Sequence, residues 1–144
     1  MPQNRNLQIL GLARKAGFLA IGEESSEAAA RSGQAALIIS ASDASERSLR
    51  NARINAQAGF AAYAVVPYTK FELGSITGRG SPGTIAFLDN GLAVRFLQGL
   101  AETDPESFKK LWEDMESSVK RIDSHAKPAP ASNSTPSGKR RTMQ

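Results

Sequence analysis

The sequence predicts a three-layer α/β/α domain over about residues 4–100, then an amphipathic helix at 104–122 and a disordered basic tail at 124–144. Three observations predict the domain. Short β-rich runs at 18–21, 36–40, 61–66 and 84–88 alternate with stretches of helical periodicity. Gly, Asx or Ser residues punctuate the junctions between them. The 144 residues are 40% apolar and 22% charged, enough for the core of one ordinary domain and not comfortably for two. No internal repeat is visible.

Leu7, Leu10, Ala13 and Ala16 recur at helical spacing, and Gly17 supplies a C-cap. Phe18-Leu19-Ala20-Ile21 is a strand candidate. Residues 22–32 read as a helix rich in Ala and Glu, closed by Gly33. Ala36-Leu37-Ile38-Ile39-Ser40 is a continuous apolar run, as expected of a strand buried on both faces. Residues 45–57 form the next helix, with Gly59 after it. The run 61–66 is expected to be a second buried strand, ended by Pro67. Thr69, with Glu72 three residues on, makes a capping box for a short helix ending near Gly78. Thr84-Ile85-Ala86-Phe87-Leu88 is the last strand. Asp89 or Asn90 then caps a helix holding Leu92, Phe96, Leu97 and Leu100.

Beyond this domain, Asp104 can cap, Pro105 suits the first helical position and Glu106 favours the dipole. Phe108, Leu111, Trp112, Met115, Val119 and Ile122 then form a full apolar stripe. Two readings stay open for it: the helix folds back on the domain, or it binds a partner or a second copy with Trp112 as anchor. Its acidic opposite face argues against an anionic membrane. The tail holds no apolar residue larger than Ala until Met143, so its ordering entropy is not offset. Lys139-Arg140-Arg141 within it can hold an RNA backbone or simply solubilise, and Pro128-Ala129-Pro130 marks an extended stretch.

Composition removes several chemistries. With no cysteine, disulfides, iron–sulfur clusters, thiolate zinc sites and cysteine nucleophiles are excluded. The one histidine, His125, falls in the expected tail, where no packed neighbour can position a general base. Gly78-Arg79-Gly80-Ser81-Pro82-Gly83 lacks the Gly-Lys-Ser/Thr ending of a phosphate loop and precedes a strand rather than a helix. Glu23, Glu24 and Glu27 lie near a helix start, where the macrodipole explains them. The expectation is a non-catalytic protein without cofactor or metal. No run approaches a membrane span, and residues 1–6 form no signal peptide, so a cytoplasmic location is expected.

The net charge is +4, unevenly spread: ten basic and seven acidic residues over 1–100, four and seven over 101–123, four and none over 124–144. Such a balance permits nucleic-acid binding without demanding it. Arg47, Arg50 and Arg53 recur every third residue along one side of a helix, and Arg14, Lys15, Arg31 and Arg79 add to the basic stock. These residues form either a basic ridge for an RNA backbone or a solvated face with Glu46 as local partner.

Several fragments carry a resemblance when taken in order. They are Leu10-Gly11-Leu12-Ala13-Arg14-Lys15-Ala16-Gly17, Ile21-Gly22-Glu23-Glu24, Arg31-Ser32-Gly33, and the stretch 36–45 from Ala36 to Ser45. Phe71-Glu72-Leu73-Gly74 and Ala86-Phe87-Leu88-Asp89-Asn90-Gly91-Leu92-Ala93 complete the set. Together they resemble the ribosomal L-seven-Ae/L-thirty-e family, whose members bind kink-turn RNA, and in particular its small bacterial branch, often encoded beside transcription-termination factors. The resemblance implies an α/β/α sandwich around a four-stranded mixed sheet. It also implies an RNA surface of three loops: Gly22, Glu23, Glu24 and Ser25 at a helix start; Asp43, Ala44 and Ser45 after a buried strand; Gly78, Arg79, Ser81 and Pro82 in the third. Arg31, Arg47 and Arg50 are candidate backbone contacts. The chain departs from the family pattern at Ala28, where the family carries a basic residue, and at Glu27, which adds a negative charge beside it. The expected function is recognition of structured RNA, kink-turn-like or ribosomal, with a link to translation or transcription termination. The alternative is a protein-interaction module that keeps the fold and uses Phe108, Leu111, Trp112 and Met115 to bind a partner or a second copy.

Overall fold

The structure, a computed structural model, describes the backbone of residues 2–125 and the side chains of residues 5–119. The expected disordered tail, with Lys139-Arg140-Arg141 and Pro128-Ala129-Pro130, lies outside the described residues from 126 onward, as does the Ile122 side chain. The elements are α1 (Pro2–Lys15), β1 (Leu19–Ile21), α2 (Glu23–Arg31), β2 (Leu37–Ser40), α3 (Glu46–Ala58), β3 (Ala62–Val65), α4 (Lys70–Thr77), β4 (Thr84–Phe87), α5 (Asn90–Thr103) and α6 (Pro105–His125). Residues up to Trp112 form one compact unit, and a second begins at Glu113, inside α6. His125 is the last residue of that helix rather than part of a tail.

The fold is α/β with a four-stranded mixed sheet in the order β1-β4-β2-β3. β4 runs antiparallel to both β1 and β2, while β2 and β3 are parallel. β2 lies between two partners and every residue in it is buried, as its unbroken apolar run requires. β3 departs from expectation. It is an edge strand, with Ala62 and Tyr63 half-buried and Val65 45% exposed. Its run of Ala and Val looks like β2 in sequence, but only one side of its backbone has a strand to pair with.

Side chains alternate across the strands, so the two sheet faces differ. Ile38 and Ala86 join Ala29, Ala30, Ala52 and Ala56 of α2 and α3 in one buried cluster. Leu37, Ile39, Ile85 and Phe87 point to the other face, where Leu10 of α1 and Phe96 and Leu97 of α5 are fully buried. The Phe87 and Phe96 rings meet there at 5.1 Å, and the Tyr68 and Phe96 rings at 6.4 Å.

Helix ends follow the expected chemistry in most places. Thr69 and Glu72 form the capping box of α4, and Asp89 Oδ2 accepts from Leu92 N at the start of α5. The end of α3 is different. Gly59 has an ordinary φ of −93°, and the left-handed residue is Phe60, at φ 57°. Gly59 is needed for proximity instead: a Cβ there would stand 2.6 Å from the Ala30 carbonyl oxygen.

Candidate nucleic-acid interface

Strand direction brings the three implied loops together. β1 ends at Ile21 and β2 at Ser40, and β4 starts beside both, with Ile21 opposite Ile85 and Ser40 opposite Thr84. Two backbone bonds stitch the loops at this end: Gly22 N donates to Thr84 O at 2.9 Å, and Ala41 N to Gly83 O at 2.9 Å. Ile21, Gly22, Glu23, Glu24, Ser25, Pro82 and Gly83 line a cleft of about 450 Å³ there.

In the first segment, Gly22 (φ 99°) caps α2 and offers no side-chain acceptor, so the first-turn N–H groups carry no cap bond from it. Glu23, Glu24 and Ser25 are exposed. Glu23 is nonetheless held in place: Ser48 Oγ, nearly buried, donates to its Oε2 at 2.8 Å and lies 3.5 Å from Thr84 Oγ1.

The second segment spends its side chains on the scaffold. Asp43 Oδ1 accepts from Lys70 N at 2.8 Å, and Ser45 Oγ caps α3 by accepting from Ser48 N at 3.1 Å. Ser42 N donates to Tyr68 O at 2.8 Å. Asp43 and Ser45 therefore set the angles at which α4 and α3 leave the sheet, and Ala44 sits half-buried between them.

The third segment is shaped by contact with α4. Gly78 closes that helix in a left-handed conformation, and its N donates to Gly74 O at 2.8 Å. A Cβ on Gly74 would overlap the Gly80 carbonyl oxygen, so only glycine lets the loop lie this close. Gly78, Arg79 and Ser81 are exposed, and Pro82 is half-buried. Ser48 Oγ, Ala44 Cβ and Lys70 Cδ all lie within 4 Å of where a Cβ on Gly83 would stand.

Positive charge surrounds this end unevenly. Lys70 lies over Gly83, and Arg14 Nη2 is 3.6 Å from the Cβ position of Gly78. Arg47 stands in the first turn of α3, with Arg50 and Arg53 further along the same exposed side. Arg31 is not brought to the loops. It ends α2, about 12 Å along the helix from Glu23, and binds Glu27 at 2.7 Å. That pair also offsets the extra negative charge of Glu27. Ala28 is exposed and contributes none.

Ser48, Lys70 and Thr84 also stand at this candidate surface, and the sequence reading did not single them out. Ser48 stands three residues after the Ser45 cap and Lys70 directly after the Thr69 cap, so each was within reach of the capping pattern. Of the apolar stripe, Phe108 is 7% exposed and lines, with Leu111, a cavity against residues 63–67. Trp112 is half-buried, its Nε1 enclosed and without a hydrogen-bond acceptor; Met115 is 8% exposed.

Among the described residues, no group of three or more His, Cys, Asp or Glu is placed to hold a metal ion, and no helix is long and apolar enough to cross a membrane. Behind the interface Tyr68 is buried, and its hydroxyl has no hydrogen bond of good geometry. Burial pushes its phenol above the ordinary value of 10.0; the nearby Asn6 amide opposes this and the Glu72 carboxylate adds to it.

No protein-family model matches the chain, and no curated protein matches it in sequence. Solved structures do. A protein of unknown function from Bacillus halodurans is similar at 28% identity and a TM-score of 0.60, over 65% of this chain and 94% of that one. The 15.5 kD RNA-binding protein of Giardia lamblia is similar at 14% identity and a TM-score of 0.55, over 70% of this chain and 86% of that one. At that identity the likeness is one of fold, so this chain is built on the same fold as a protein that binds RNA.

Proposed function

We propose that the protein binds structured RNA through the loop end of its sheet and acts by binding alone. The observation that carries this reading is the meeting of three segments at one end of the sheet: residues 22–25 line a cleft with Pro82 and Gly83, and Ala41, just before residues 42–45, bonds to Gly83. The cleft combines what a kinked RNA asks for. The start of α2 offers N–H groups to phosphate or base acceptors. Glu24 is exposed and can accept from guanine amino and imino groups, while Glu23 is oriented by Ser48. The close-set loop 78–83 can reach splayed bases. Lys70, Arg14, Arg79 and Arg47 supply backbone contacts around the cleft in place of the charge missing at Ala28. Kink-turn or ribosomal RNA is the class that the resemblance favours, with a role in translation or transcription termination following from the RNA it holds.

The test compares an RNA duplex kinked by an unpaired bulge with a continuous duplex of equal length, across a salt series. Preference for the kinked RNA that survives physiological salt is the expected result. Equal binding that falls steeply with salt would reduce the reading to backbone contacts. Absence of binding to either RNA overturns it.

A further inference from the structure

Phe71 is 74% exposed, whereas Phe87, Phe96 and Phe108 are buried. It occupies the first turn of α4, directly after Lys70, a place where polar residues serve a helix better. The buried face of that helix is made by Leu73, Gly74 and Thr77, which leaves the Phe71 ring outside the core. A single exposed apolar residue is ordinary. The surroundings of this one are not. Gly74, three residues on, is its neighbour on the helix surface, and Gly74 is where the Gly80 carbonyl rests. Position 71 therefore stands on the exposed helix surface next to the position that meets loop 78–83, while Lys70, one residue earlier, reaches over Gly83. Among the described residues Phe71 is the one exposed aromatic ring at the loop end of the sheet. Phe18 and Phe60 lie at the other end, before β1 and β3.

We propose that Phe71 is a stacking platform for one unpaired nucleobase of the bound RNA, with Lys70 beside it on the adjoining phosphate. The proposal rests on the RNA reading above and adds a contact class to it. Every base has a π-face, so the platform selects for an unpaired base without selecting its identity. A base pushed out at a kink, or one flanking it, is free to stack, whereas a base inside a duplex is not.

The test measures binding of wild type, Phe71→Ala, Phe71→Trp and Phe60→Ala to the bulged RNA, to the same RNA with the bulge nucleotides abasic, and to the continuous duplex. Stacking predicts that Phe71→Ala weakens binding to the bulged RNA by roughly 5- to 150-fold. Phe71→Trp should restore it, and Phe60→Ala should leave it unchanged. The difference between wild type and Phe71→Ala should vanish on the abasic RNA and on the duplex. The salt slope should stay the same in Phe71→Ala, because no phosphate contact is lost. Wild-type affinity in Phe71→Ala overturns the proposal and leaves the RNA reading standing. A Phe71→Trp variant as weak as Phe71→Ala also overturns it, by excluding the ring face as the cause. If wild type binds none of the RNAs, the RNA reading falls and the platform falls with it.

Discussion

On one face of the sheet α2 and α3 present Ala29, Ala30, Ala52 and Ala56 to Ile38 and Ala86; on the other, Leu10, Phe96 and Leu97 pack against Phe87 and its neighbours. The alanine side is thin. Its helices come close enough that the Ala30 carbonyl nearly touches the backbone at Gly59. The aromatic side is thick, with ring meeting ring. Close-packed interiors punish opposite errors on the two sides. The thick side should suffer most from lost volume and the thin side from added volume. Glu23 and Ser48, which meet at the candidate interface, both belong to the thin side, so their register depends on the absence of bulk there.

The largest expected effect comes from emptying the thick side. Phe96→Ala should cost roughly 3–5 kcal/mol of unfolding free energy, read by urea denaturation. A cost below about 1 kcal/mol would show that the ring is not a keystone of the core. On the thin side, Gly59→Ala should cost about 1–3 kcal/mol, because the new Cβ meets backbone rather than a yielding side chain. If Gly59→Ala is neutral, the asymmetry between the faces is broken.

The smallest effect is one of pH. The Tyr68 phenol is raised above its ordinary value in the folded chain. Below pH 10 it is neutral in both states and changes nothing. As pH rises past 10, the unfolded chain ionises first, so stability falls by at most about 1.4 kcal/mol per pH unit. Denaturation midpoints of wild type and Tyr68→Phe should diverge only in that alkaline range. Parallel loss in both variants would remove Tyr68 as the cause.

Much of this was readable in advance where one residue type answers one physical demand. The apolar run from Ala36 to Ile39, closed by Ser40, marks an interior strand, and Thr69 with Glu72 marks the start of α4. The run at 61–66 misled because alternation and apolar content do not say how many neighbours a strand has; that is a property of topology. The left-handed turn at Phe60 was hidden because Gly59 is glycine for a different reason, the approach of α2. At the interface, the three loops could be named from resemblance, but their meeting depends on β4 running antiparallel to both neighbours. Lys70 adjoins the Thr69 cap and Ser48 lies three residues after the Ser45 cap, so local sequence explains both, and tertiary contact alone gives them a second role.

The contact between Gly74 and the Gly80 carbonyl bears on when entropy is lost. A six-residue loop free to wander in the unbound protein would be ordered by RNA, and that cost would be subtracted from the binding free energy. Here the loop is held against α4 during folding, so its conformational freedom is surrendered before any ligand arrives. On the proposed RNA reading, affinity at this end of the molecule is set by the contacts themselves, and the stability of α4 becomes part of the binding equilibrium.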